Sequence, residues 1–475
     1  MARNVVIIGA GIGGLTSAIH LAQHDCRVTV LEARSTAGGL ASGIEIDGFR
    51  FDAGPYVLLD RPGLEWSFRQ LNINPADHFQ LQRIPNVYQV SRGSEESVSI
   101  YDSLDRTATE FEASWPGSGN LYRQFIARTG ATYQRLQTMQ CKSHPGLRDV
   151  IRTGAWRDVP FILRSLGSVF KSSRLPGPIA QALGIWTEVA GQRVGQAPSP
   201  LALVTSVIHD VGACYPLGGI ATIPEGLFKV AVESGVEFRF DTRVQQILCK
   251  NATANGVQLE DEILAADAVV SNVGLATYGQ LLDENGRSTL SDRTKCYFEK
   301  LPLQSPGVCA YLAVKGKTEP PYLRFWLHDE PDGCRLLITP GVVDPTLAQD
   351  DWFPARLLAP RSHTRAEMGG EQGQREFLDR VLNETAWRDL FADIRVLQTR
   401  IPNEWGTAFH LHNNSMNPSM TSRFMLAGRI AHRSPWIRNL YLAGSATHPG
   451  QWVSFCAVSG ILAADRLLAD VGMKK

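Results

Sequence analysis

The chain has 475 residues, and Lys plus Arg equals Asp plus Glu at 47 each, so no net charge points to a nucleic-acid partner. An apolar content of 44% is that of a globular protein, and the length calls for two domains or one domain with large insertions. Eight scattered cysteines form no CxxC and no zinc-like spacing, which argues against a metal site or disulfide framework and fits a reducing cytoplasm. No secretory leader is expected, and no apolar run reaches the roughly 18 residues of a spanning helix.

The first predicted unit is "VVIIGAGIGGLTSAIHLAQH", from Val5. Branched apolar residues predict a buried, parallel-type strand. Gly9, Gly11 and Gly14 follow as G-x-G-x-x-G, and Leu15, Ala18, Ile19 and Ala22 continue with helical periodicity. A second strand, "RVTVLE", ends at Glu32. In such a unit the first glycine makes the turn, the second lets backbone approach a pyrophosphate, and the third packs helix on strand. The pyrophosphate meets free N–H groups at the helix N-terminus. Glu32, 18 residues after Gly14, is placed to accept hydrogen bonds from ribose hydroxyls, and an acid there disfavours NADP.

The next stretch is "EARSTAGGLASGIEIDGFRFDAGP". Its doublet Gly38-Gly39 gives a second backbone pass that an NAD domain does not need and an extended FAD does. Arg34 is placed to pair with or cover the adenine-ribose end.

Residues 60–214 are richer in Arg, Trp and Pro and carry no nucleotide motif. Within 148–174, Arg148, Arg152, Arg157, Arg164, Lys171 and Arg174 alternate with bulky apolar residues such as Ile151, Trp156, Leu163, Leu166, Val169 and Phe170. This pattern suits a segment entering a lipid headgroup region. A solvated helical cap over the substrate domain is the alternative. Gly154, Pro160 and Gly167 should break the stretch into short helices.

At 215, "YPLGGIATIPEGLFKVAVESGVEFRFDTRVQQI" predicts a glycine turn at Gly218-Gly219, a helix over roughly 221–234 and a strand from Val236 to Phe240. A small antiparallel set should follow, with its hairpin turn at Asn255-Gly256. Residues 281–424 mix strands and helices. His410 and His412 alternate in "GTAFHLHNN", which on a strand puts both on one face, as a metal pair or as a packed strand. Finally, "NLYLAGSATHPGQW" predicts an apolar strand, a small-residue turn and a helix starting at Val453. The N–H groups of that helix should lie by the flavin N1–O2 edge.

These elements predict an α/β fold with a discontinuous Rossmann-type FAD-binding domain (1–75, 215–280 and 425–475). An α+β substrate domain with a helical cap (76–214 and 281–424) is inserted in it.

Together the stretches "VIIGAGIGGLTSAIHLA", "LEARSTAGG", "GFRFDAGPYV", "YPLGGIATIPEGLFKVAVESGVEFRFDTRV" and "NLYLAGSATHPG" resemble the FAD-dependent amine oxidase superfamily. More narrowly they resemble the bacterial phytoene desaturase and carotenoid isomerase family. The resemblance implies bound FAD and a conjugated apolar substrate. Position by position it implies that Gly9, Gly11 and Gly14 cradle the diphosphate and that Glu32 holds the ribose. Arg34, Gly38 and Gly39 would line the rest of the dinucleotide, and Val244 would meet the adenine. Gly444 and Ser445 would touch the diphosphate and ribityl chain, and the turn 448–450 with the helix start at Val453 would face the isoalloxazine. Two departures stand out. Leu40 occupies a position where the family commonly has Arg, and Gln451-Trp452-Val453-Ser454-Phe455 replaces a small, open stretch.

The reading is an FAD-dependent desaturase acting on a lipophilic isoprenoid or carotenoid-like substrate, cytoplasmic and peripherally membrane-associated. Three alternatives stay open: a reduced-FAD carotenoid isomerase, an amine or porphyrinogen-type oxidase, and a non-catalytic flavin-binding protein. No general base is evident. The candidates for a catalytic role are His448, as proton donor or turn-former, and Trp452, as flavin wall or core aromatic.

Overall fold

The computed structural model describes residues 2–93, 96–143, 145–316 and 318–472. Its organising element is a five-stranded, all-parallel sheet ordered Leu440–Leu442, Ala268–Ser271, Asn4–Ile8, Arg27–Leu31, Glu237–Arg239. Val5, Val6, Ile7 and Ile8 are all buried, as expected for a central strand covered on both faces. The sheet draws its strands from the two ends and the middle of the chain.

The first helix, Ile12–Ala22, and the last, Val453–Asp470, cross closely over this sheet. Small residues make the crossing possible: a Cβ on Gly460 would fall 2.0 Å from Thr16 Oγ1 and 2.2 Å from the Gly13 carbonyl oxygen. Thr16 Oγ1 donates to the Ala457 carbonyl at 3.0 Å and Ser17 Oγ to the Gly460 carbonyl at 2.8 Å. Leu15, Ala18 and Ile19 from one helix and Ala457, Ile461 and Ala464 from the other are fully buried. Truncating Leu15 or Ile461 to alanine should cost about 2–5 kcal/mol. This packing brings the N-terminal and C-terminal turns together.

A second, seven-stranded sheet is mixed, ordered Asp393–Arg400, Val308–Lys315, Trp352–Ala359, Cys334–Ile338, Leu323–Leu327, Asn86–Arg92, Glu96–Tyr101. Only Leu323–Leu327 and Asn86–Arg92 run parallel. Helices Ser118–Gln140, Gly177–Glu188 and Val204–Asp210 belong to the helical region preceding residue 214. Among the described residues no helix is long and apolar enough to cross a membrane, all eight cysteines are free, and no metal-binding cluster is present.

The helix at Thr222–Glu233 and the strand at Glu237–Arg239 match the expected elements. Two expectations are corrected. The hairpin turn is at Asn251-Ala252, both with positive φ, while Asn255 and Gly256 lie within the strand Thr253–Gln258. Gly256 is there for close approach, because a Cβ would fall 2.5 Å from the Leu264 carbonyl oxygen on the neighbouring strand. His410 and His412 are not on a strand. Residues Pro402–Phe409 form a helix, with proline in the first turn and the Glu404 carboxylate accepting the Ile401 N–H, and His410 ends it in a left-handed conformation.

The 148–174 stretch breaks into short helices as expected. Its second half turns inward: Leu166, Val169 and Phe170 are buried. Leu147, Ile151, Trp156, Val159 and Leu163 stand exposed, Leu147 at 76% and Leu163 at 67%. Buried Asp158 pins this segment to the helix Ser118–Gln140, accepting from Arg135 Nε at 2.7 Å and Thr132 Oγ1 at 2.8 Å.

Candidate active site

A cleft of about 480 Å³ opens at the C-terminal ends of the parallel strands, where open α/β sheets bind their ligands. Gly9, Gly11, Glu32, Arg34, Gly38, Gly39, Val244, Gly444, Ser445 and Val453 all line it. Gly14 does not. Its Cβ would fall 2.1 Å from the Gly9 carbonyl oxygen, so it serves helix-to-turn packing, as the third glycine of the motif should. Gly9 and Gly444 have φ of +93° and +91°, conformations that favour glycine. A Cβ on Gly13 would fall 2.8 Å from the Gly444 N, so the two turns meet backbone to backbone.

Glu32 is 7% exposed. One carboxylate oxygen accepts the Ala10 N–H at 2.7 Å and the other accepts the Arg34 N–H at 3.0 Å. A carboxylate has acceptor capacity beyond these two bonds. Arg34 clamps the doublet turn, donating to the Gly39 carbonyl at 3.2 Å and Ser42 Oγ at 3.1 Å, and lies 4.3 Å over the Phe409 ring. Burial lowers its pKa. Gly38 N donates to the Ala10 carbonyl at 2.8 Å.

Both helices that begin on the cleft start without a side-chain cap and without an acid in the first turn: Ile12–Ala22 after Gly11, and Val453–Asp470 after Trp452. Uncapped N–H groups and two positive dipole ends fit an anionic, extended ligand such as a dinucleotide.

The two candidates for a catalytic role do not line the cleft. Trp452 stacks on Phe455 at 4.8 Å and so packs at the helix start instead of narrowing the cleft. His448 Nε2 donates to the Met139 carbonyl at 3.2 Å, and the His448 carbonyl accepts from His432 Nε2 at 2.9 Å. Ser143 Oγ bonds His432 Nδ1 at 2.7 Å. The His-Pro-Gly turn is thereby tied to the end of the helix Ser118–Gln140. His410 and His412 line the cleft, with pKa values lowered by burial.

Asn272 is a site residue the sequence reading missed. It follows the strand Ala268–Ser271, and its side chain lies where Cβ atoms on Gly11, Gly13 and Gly444 would be. A short polar residue after "DAVVS", at a strand end like Gly9 after "VVII", was the available signal. Arg356 was also missed. It is 4% exposed, donates to the carbonyls of Asp52 and, at 2.6 Å, Gly54, and so holds the "FDAGP" loop against the second sheet.

The sequence model for flavin containing amine oxidoreductases matches residues 12–468. The chain belongs to this family. It is an FAD-dependent oxidoreductase of the amine-oxidase and desaturase type, and the residues of the cleft fit that cofactor. Among curated proteins it is similar to the zeta-carotene-forming phytoene desaturase of Myxococcus xanthus, 27% identical over 98% of this chain and 94% of that one. It is also similar to the carotenoid 3,4-desaturase of Haloarcula japonica, 25% identical over 99% of both. An oxidoreductase from Methanosarcina mazei shares the fold, with a TM-score of 0.67 at 17% identity over 97% of this chain and all of that one.

Proposed function

We propose that the chain desaturates a lipophilic isoprenoid or carotenoid-like substrate taken from a membrane surface. The observation that carries this reading is the run of exposed apolar side chains Leu147, Ile151, Trp156, Val159 and Leu163 within residues 147–163, interspersed with exposed Arg148, Arg152 and Arg157. Bulky apolar side chains with basic neighbours suit an anionic lipid surface. This run follows the helix Ser118–Gln140, whose last turn carries the Met139 carbonyl bonded to His448. A lipid-docked substrate would therefore enter beside the turn at the cleft.

In this reading residues 1–75, 215–280 and 425–475 form the cofactor-binding unit, and 76–214 with 281–424 form the substrate unit. Gly9, Gly11 and the uncapped start of the first helix hold the diphosphate. Glu32 accepts from the ribose, and Val244 meets the adenine. Gly444, Ser445 and the helix start at Val453 take the remainder. When bound, FAD supplies two-electron oxidation. The chain supplies positioning, exclusion of water and a positive helix end for the charge that reduction creates.

The test is to incubate the holoenzyme with polyisoprenoids in vesicles and weigh the product. Loss of two hydrogens is the expected result. An unchanged mass with a shifted double-bond geometry would make the chain an isomerase, and turnover of amines alone would overturn the reading.

A further inference from the structure

Arg429 follows a single π-helical turn, Phe424–Gly428, a geometry frequent at functional sites. The next residue, Ile430, donates its N–H to the Ala446 carbonyl at 3.3 Å. Ala446 lines the cleft, as do Ser445, Gln451 and Val453. The Arg429 guanidinium reaches along the same turn: a Cβ on Gly450 would fall 3.2 Å from Nη1 and 3.4 Å from Nη2. With no side chain at 450, the cation lies directly against the backbone that leads to Gln451 and the helix start at Val453.

This cation has no countercharge. Its Nε is buried without a hydrogen-bond partner. Among the described residues its guanidinium meets no carboxylate, and burial, offset by no acid, pulls its pKa down to about 10. It therefore stays protonated at neutral pH. Other enclosed arginines are paired: Arg335 with Glu330 and Glu384, both at 2.8 Å, and Arg356 with the carbonyls of Asp52 and Gly54. An unpaired charge held out of water destabilises a fold, and departures of this kind persist where function uses them.

We infer that Arg429 is the countercharge of the reduced cofactor, acting across the Gly450 turn together with the uncapped start of the helix at Val453. This rests on the placement of the far end of FAD at that helix start and deepens it. The guanidinium does not have to touch the ring, because attraction between unit charges in a protein interior extends over several ångströms and is little screened there. The negative charge that meets it is created by reduction, so Arg429 stabilises the reduced state and stays unpaired in the oxidised one.

The test is the midpoint potential of the FAD-loaded protein, measured anaerobically against reference dyes, beside the melting temperature of the oxidised holoenzyme. Arg429→Met keeps the apolar stem and removes the charge. It should lower the equilibrium constant for reduction about tenfold or more, a drop of about 30 mV or more for a two-electron couple. Arg429→Lys should restore most of that drop. The oxidised Arg429→Met protein should melt at or above the wild-type temperature, because an unpaired charge has gone. An unchanged potential in Arg429→Met, or a lysine variant no better than the methionine one, would overturn the inference. An oxidised Arg429→Met protein that melts well below wild type, or does not fold, would show the guanidinium to be paired in the resting protein and overturn it as well. Loss of FAD from a folded Arg429→Met protein would assign the charge to the oxidised cofactor, with the same consequence. A Gly11→Val protein that still loads FAD would instead bring down the placement of the cofactor, and the inference with it.

Discussion

The Glu32 carboxylate accepts the backbone N–H of Ala10 at 2.7 Å, so the acid ending the second strand is tied to the glycine turn ending the first. Glu32 therefore shapes the turn as well as facing the cleft. In the proposed reading Glu32→Ala removes a ribose acceptor, and it also leaves the buried Ala10 N–H unpaired. A hydrogen bond to a charged group contributes about 1.5–3 kcal/mol, so FAD affinity should fall by roughly one to two decades. Titration of stripped protein with FAD measures this, and unchanged affinity would remove Glu32 from the ribose site.

Gly11→Val should give apoprotein. Its Cβ would fall 2.8 Å from Asn272 Nδ2, and in the proposed reading the remaining methyl groups would occupy the space of the diphosphate. Absorbance of the purified variant reports FAD per chain. A yellow, stoichiometrically loaded variant would contradict the placement.

Asp60 gives a pH signature. Its side chain is fully buried, one oxygen accepts the Tyr133 hydroxyl at 2.9 Å, and burial raises its pKa. A carboxyl raised above its unfolded-state value stabilises the fold below that value, and this contribution is lost as pH climbs through the folded-state value. Asp60→Asn should therefore gain thermal stability relative to wild type at pH 8 and lose that advantage at pH 4. Parallel melting-temperature profiles for the two proteins would contradict this.

Vesicle binding tests the exposed run. Trp156→Asp with Leu163→Asp removes two apolar side chains worth about 1.5–3 kcal/mol each on burial, so partition into anionic vesicles should fall at least about tenfold. High salt should release part of the wild-type protein, because it screens the arginines. Wild-type protein that stays in the supernatant with anionic vesicles would contradict membrane docking.

The glycine turns that line the cleft were legible in the sequence, because local backbone demands fix them. Gly9 and Gly444 need positive φ, and Gly14 sits where no Cβ fits. The same logic misled at Gly256, since a glycine needed for strand contact looks like one needed for a turn. At His410 and His412, alternation suggested a strand, but proline and the Glu404 cap start a helix that overrides it. Leu166, Val169 and Phe170 read as part of the surface segment, and tertiary packing turned them inward.

The most direct measurement is anaerobic mixing of the FAD-loaded protein with membrane-borne polyisoprenoids and, separately, with amines, following the oxidised flavin absorbance. The account predicts bleaching with a polyisoprenoid, release of a product lighter by two hydrogens, and no bleaching with amines. Bleaching by amines alone, or by no substrate in either set, would contradict it.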